Sequence, residues 1–166
     1  MARTIASLTP ESANFPSTNF PQLSQQDSTR RRMVLGFDAS TDESCWWTFV
    51  APQGITTPLT AIITYFMASA TTGSVRFEAF VEAVSDGDSI DLDATDSYDS
   101  TNNAGATVPG TQGNPDQISI TLTNNDSIAA ADMVRIKLVW DADGTTGTDD
   151  ATGDCYVLLV EIRDNA

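Results

Sequence analysis

Twenty-one of the 23 acidic residues follow residue 32, and the loops that hold them are where this chain first suggests chemistry. Asp141-Ala142-Asp143-Gly144, followed by Asp149-Asp150, offers hard oxygen ligands of the kind calcium takes. It lacks the EF-hand spacing and its closing glutamate. Asp86, Asp88, Asp91 and Asp93 form a second cluster, and solvated turn residues account for both, so no metal is expected. Glu78 and Glu82 share one strand face, as a glycosidase carboxylate pair would, but they alternate with Arg76 as a wet strand face does. The chain has no histidine, which removes Ser-His-Asp and Cys-His nucleophilic catalysis. No catalytic residue and no cofactor is therefore expected, and the chain reads as a non-enzyme.

Trp46, Trp47 and Trp140 offer the other chemistry, a platform on which sugar rings stack. Trp46 and Trp47 are neighbours on a strand, so one points inward and only the other can face outward. Core or interface packing is the use the pattern favours. Cys45 and Cys155 both fall inside strands, where free cysteine is a common small core residue, and whether they pair is left open.

These residues are carried by a body that alternates with period two from Met33 onward. Val75, Phe77, Ala79 and Val81 oppose Arg76, Glu78 and Glu82. Ile118, Ile120 and Leu122 oppose Ser119, Thr121 and Thr123, and Val134, Ile136, Leu138 and Trp140 oppose Arg135 and Lys137. The pattern predicts strands over 33–38, 45–50, 59–68, 74–84, 117–123, 133–141 and 154–163, with a poorly marked one between Ile90 and Val108. Turn chemistry separates them at Pro52-Gln53-Gly54, Thr72-Gly73, Asp86-Gly87 and Asp143-Gly144. About eight short strands in two facing sheets is an all-β, jelly-roll-like sandwich over 33–166. The polar stretch 91–116 reads as a mobile or contact loop.

Residues 1–32 read as a separate extended N-terminal arm. Asn14-Phe15-Pro16 and Asn19-Phe20-Pro21 repeat a tripeptide whose proline holds the preceding residue extended, so Phe15 and Phe20 lie on a strap and need a pocket on another surface. Thr9-Pro10-Glu11 suits one helical turn, with Thr9 as N-cap. Arg30, Arg31 and Arg32 close the arm. It carries four of the eight basic residues against two acids, net +2, while the remainder carries four against 21, net −17. Such a body repels phosphate, which argues against nucleic acid, and the triplet reads as pairing with acidic loops of a neighbour. No run of 18 apolar residues marks a membrane span, and no secretory leader is visible, so synthesis in the cytoplasm is expected.

Some strands are apolar on both faces. If Tyr156, Leu158, Val160 and Ile162 point inward, then Cys155, Val157 and Leu159 point out, and Ile62 and Phe66 oppose Ala61, Ile63 and Tyr65. Each such side chain is worth about 1.5–3 kcal/mol when buried, so Ile62, Phe66, Val157 and Leu159 predict an interface between copies of the chain.

The run Phe37-Asp38-Ala39-Ser40-Thr41-Asp42-Glu43 into Trp46-Trp47-Thr48-Phe49-Val50-Ala51-Pro52, the Asp141-Ala142-Asp143 turn, and the closing 153–163 segment resemble small jelly-roll capsid decoration (cement) proteins of tailed bacteriophages. The similarity spans roughly 33–163 and leaves the arm out. It implies a non-enzymatic homotrimer on the outer capsid surface of the virion that binds the major capsid protein and stabilises contacts between capsid subunits. The arm with Phe15, Phe20 and Arg30 to Arg32 would then reach the shell. The alternative is a receptor- or glycan-binding β-module of a phage head or tail fibre, using an outward tryptophan and the 91–116 loop. Deleting residues 1–32 is expected, on the decoration reading, to leave a folded body that no longer attaches.

Overall fold

A computed structural model of the chain describes residues 2–26, 29 and 31–165. Among these the strands are β1 (Arg3–Leu8), β2 (Gln22–Gln26), β3 (Arg32–Phe37), β4 (Glu43–Val50), β5 (Leu59–Met67), β6 (Ser74–Val84), β7 (Asn102–Thr107), β8 (Asp116–Leu122), β9 (Met133–Trp140) and β10 (Cys155–Asp164). β3 to β10 form two four-strand sets, β3-β10-β5-β8 and β4-β9-β6-β7, facing each other across one core. Every connection between these strands except the β6–β7 hairpin crosses from one sheet to the other, which is jelly-roll topology. The all-β sandwich expected from the alternation is therefore present. The weakly marked strand lies at 102–107.

Period-two burial explains the core. Val75, Phe77, Ala79 and Val81 from β6 meet Val134, Ile136, Leu138 and Trp140 from β9, all at 0% exposure. Phe37, Phe77 and Trp140 pack ring to ring at 5.7–6.4 Å, and Tyr65 reaches Phe77 at 6.4 Å, so the two sheets are joined by aromatic contacts. Cys45 and Cys155 are buried and free.

Two features depart from the sequence reading. The segment read as a separate arm is built into the sandwich. β1 pairs antiparallel with β10, β2 pairs with β3, and Leu8 is buried in the core. Between them the chain crosses to the other sheet, where Asn14 exchanges backbone hydrogen bonds with Trp46 and the Ser44 N–H donates to the Asn19 carbonyl. The Trp47 indole N–H donates to the Thr9 carbonyl at 2.8 Å. The single turn expected after Thr9 is a 3-10 helix, Pro10–Ser12, with proline in its first turn. Phe15 and Phe20 are half-buried with ring centroids 5.8 Å apart, and Phe15 packs against the core. Phe15 thus packs on its own chain, with the Phe20 ring against it. Arg31 precedes β3 with φ 51°, Arg32 begins β3 and is exposed, and Arg30 lies outside the described residues.

The second departure is in β10. Cys155 and Val157 face the core, and so do Val160 and Ile162, because a β-bulge at Leu158 inserts one residue and resets the alternation. Val157, expected to point outward, is 1% exposed in the core, whereas Tyr156, Leu158 and Leu159 lie half-buried on the outer face. Ile62 and Phe66 also lie on that outer face, and the Phe66 and Tyr156 rings meet at 5.2 Å.

Candidate functional site

The outer face of the four-stranded sheet gathers aromatic and charged side chains in register. Across β4, β9 and β6 one row reads Trp46, Lys137, Phe80, and the next reads Thr48, Arg135, Glu82. The parity that sends Trp47 into the core at 1% exposure sends Trp46 outward, where it is half-exposed. Phe80 takes the same outward parity among Arg76, Glu78 and Glu82.

A fourth group arrives from the loop before β7. The Ser97 N–H donates to Glu82 at 2.7 Å, and the Asp99 N–H donates to the Val81 carbonyl at 2.8 Å, so this loop continues the sheet edge beside β6. The Asp99 carboxylate accepts the Asp126 and Ser100 N–H groups, and these bonds hold its pKa below the usual range. Tyr98, pinned between them, lays its ring beneath two cations: the Arg135 guanidinium at 5.1 Å and the Lys137 ammonium at 6.0 Å. Arg135 also covers Trp46 at 5.6 Å, and Lys137 covers Phe80 at 5.5 Å. Burial pushes the Tyr98 hydroxyl well up in pKa, and its oxygen has no hydrogen-bond partner among the described residues.

Charge fixes this arrangement. Glu82 is fully buried and is held by the Arg135 guanidinium at 2.8 Å, while Asp96 takes the same guanidinium nitrogen at 2.6 Å from the loop side. With Ser97 on its other oxygen, Glu82 is committed to structure. Glu78 accepts from the Thr101 hydroxyl at 3.2 Å, and burial, before any neighbouring charge, raises its pKa. The two carboxylates weighed as a hydrolytic pair thus position loop residues on the face.

The aspartate loops also turn inward. Asp42, Asp141 and Asp143 bring carboxylate oxygens within 4.8 Å of one another. Both oxygens of the buried Asp141 are taken by the N–H and O–H groups of Thr145 and Thr146, at 2.6–3.1 Å, and these bonds lower its pKa although burial opposes them. Asp149 accepts from Arg76 N–H and the Trp140 indole, and Asp150 from Ser74 N–H, which fastens the 141–153 loop to β6. Asp88 and Asp91 accept N–H groups within their own turns.

Of the residues singled out by sequence, Trp46 reaches this face, while Trp47 and Trp140 are core. Sequence reasoning passed over Phe80, Tyr98, Arg135 and Lys137 as site residues. The available signal was Phe80, one aromatic side chain at a wet position of an otherwise charged strand face.

No protein-family model and no curated protein matches the chain. Solved structures of carbohydrate-binding modules are similar to it. The CBM22-1 xylan-binding domain from Paenibacillus barcinonensis Xyn10C has a TM-score of 0.49 at 12% identity, covering 98% of this chain and 95% of that one. TmCBM27, a module described for specific mannan recognition, has a TM-score of 0.46 at 13% identity, covering 100% and 99%. The C-terminal CBM6 of LamC, a marine laminarinase from Zobellia galactanivorans, has a TM-score of 0.43 at 11% identity, covering 95% and 97%.

Proposed function

We propose that the outer face of the β4-β9-β6-β7 sheet binds a glycan without acting on it. The observation that carries this reading is the group of Trp46 and Phe80 on paired strands and Tyr98 on the loop beside them, all half-buried and set around Arg135 and Lys137. A pyranose ring presents an apolar C–H face that suits an aromatic surface, and its hydroxyl rim needs polar groups held in fixed positions. Arg135, fixed by Glu82 and Asp96, and Thr48 beside it on the next strand offer such groups. Little conformational entropy is lost on binding, because strands and ion pairs have already ordered the face.

Trp46→Ala tests this directly. On affinity gels containing a range of polysaccharides, the variant should lose about 30-fold or more in affinity, the scale of a tryptophan hot spot. Its melting temperature should stay near wild type. Retention equal to wild type on every polymer would refute the proposal.

A second reading, a capsid decoration protein that is homotrimeric on a major capsid protein, draws support from the other sheet. There Tyr156, Leu158 and Leu159 lie half-buried, an apolar outer face suited to a second copy, whereas Ile62 and Phe66 beside them are already buried within the chain. Sedimentation velocity should then show a trimer. A monomer at every concentration would remove that reading and leave the glycan face untouched.

A further inference from the structure

Lys137 is the only lysine in the chain, and it stands in the middle of the proposed glycan face, directly between Trp46 and Phe80 across the strands. Four basic residues follow residue 32, and three of them, Arg76, Arg135 and Lys137, point from the outer face of this one sheet. On a segment with 21 acids that placement is selective. The fourth, Arg163, is paired with Glu161 on the opposite sheet.

The three cations are not equivalent. Arg135 is occupied by Glu82 and Asp96. Arg76 donates to Asn103 and lies against Gly147, where even a Cβ would collide with its guanidinium. Lys137 has no carboxylate within ion-pair distance among the described residues, and rests over the Phe80 and Tyr98 rings at 5.5 and 6.0 Å. Glu78, the carboxylate that senses Lys137, is engaged by Thr101. An ammonium held on ring faces still points outward with hydrogen-bond donors to spare.

Resting on the glycan reading, we infer that the saccharide bound here carries an anionic group, a uronate carboxylate or a sulfate ester, that pairs with Lys137. Trp46 and Phe80, the neighbours of Lys137 in the row, hold the sugar ring, and the acid group lands on the ammonium between them. The chain's net charge of −15 sets the density of that charge. At physiological salt the screening length is about 8 Å, so one acid group at Lys137 is attracted locally while a densely charged polymer meets the surrounding carboxylates. The ligand class is a largely neutral glycan with sparse acid groups.

The test uses the full chain and immobilised oligosaccharides that share one neutral backbone, carrying no charge, one uronate or one sulfate ester. Wild type should prefer a charged form by about tenfold over the neutral one, the uronate and sulfate arms naming the source of the charge. Lys137→Gln should bring that ratio close to one, and Lys137→Arg should restore most of it, with thermal melts showing all three chains folded. A wild-type ratio of one, or a ratio that survives Lys137→Gln, overturns the inference and leaves glycan binding in place. No binding to any oligosaccharide or polysaccharide by wild type instead overturns the glycan reading, and this inference falls with it.

Discussion

Arg135 connects stability and recognition at the residue scale. Its guanidinium neutralises Glu82, which is fully buried, and at the same time spaces Trp46 from Tyr98. Removing one partner of a buried pair leaves an uncompensated charge, at a cost of about 3–5 kcal/mol. Arg135→Ala should therefore lower the unfolding free energy by that amount, read as a lower urea midpoint at an unchanged slope, and the double variant Arg135→Ala/Glu82→Gln should recover part of it. If the single variant unfolds at the wild-type midpoint, the ion pair does not organise the face. The sequence marks Glu82 only as half of a carboxylate pair and does not mark Arg135 as a site residue at all. Period two placed Arg135 and Glu82 on wet faces, but their shared register is set by strands 53 residues apart, which alternation within either strand does not reveal.

At the element scale, the seven clearly patterned strands fall within about two residues of their expected ends, because one wet and one buried face imposes alternation wherever water stops. β10 shows where that rule fails. Its apolar residues run almost unbroken, so parity there depends on the bulge at Leu158. Deleting Leu158 would force either Cys155 and Val157 or Val160 and Ile162 outward. We expect that deletion to prevent cooperative folding, whereas Leu158→Ala, which keeps the residue count, should cost little because the side chain is on the outer face. Chemical denaturation of the two variants side by side decides it, and a well-folded deletion would show that the bulge is dispensable.

At the scale of the whole molecule, residues 2–26 bind the two sheets together. The composition of this stretch, rich in proline, asparagine and glutamine, reads as a loose strap. What it conceals is that β1 pairs with β10, supplied from far along the chain, while β2 pairs with β3 directly after it. Loss of residues 2–26 would expose the Leu8 pocket, worth about 1.5–3 kcal/mol, and leave the Trp47 indole N–H without its acceptor, worth about 1–3 kcal/mol more. A chain lacking them should therefore melt far below the full protein or not fold at all. A truncated chain with an unchanged melting curve would return the segment to the status of an independent arm.

The pairing of β1 with β10 also has a mechanical meaning. Arg3 lies opposite Asp164 and holds its carboxylate at 2.5 Å, so the polypeptide enters and leaves at one point. Tension applied through both ends would load the rungs of that ladder one after another, as a zipper is opened, and not all together in shear. The domain would then yield first at this seam, releasing β1 while the remaining strands stay closed.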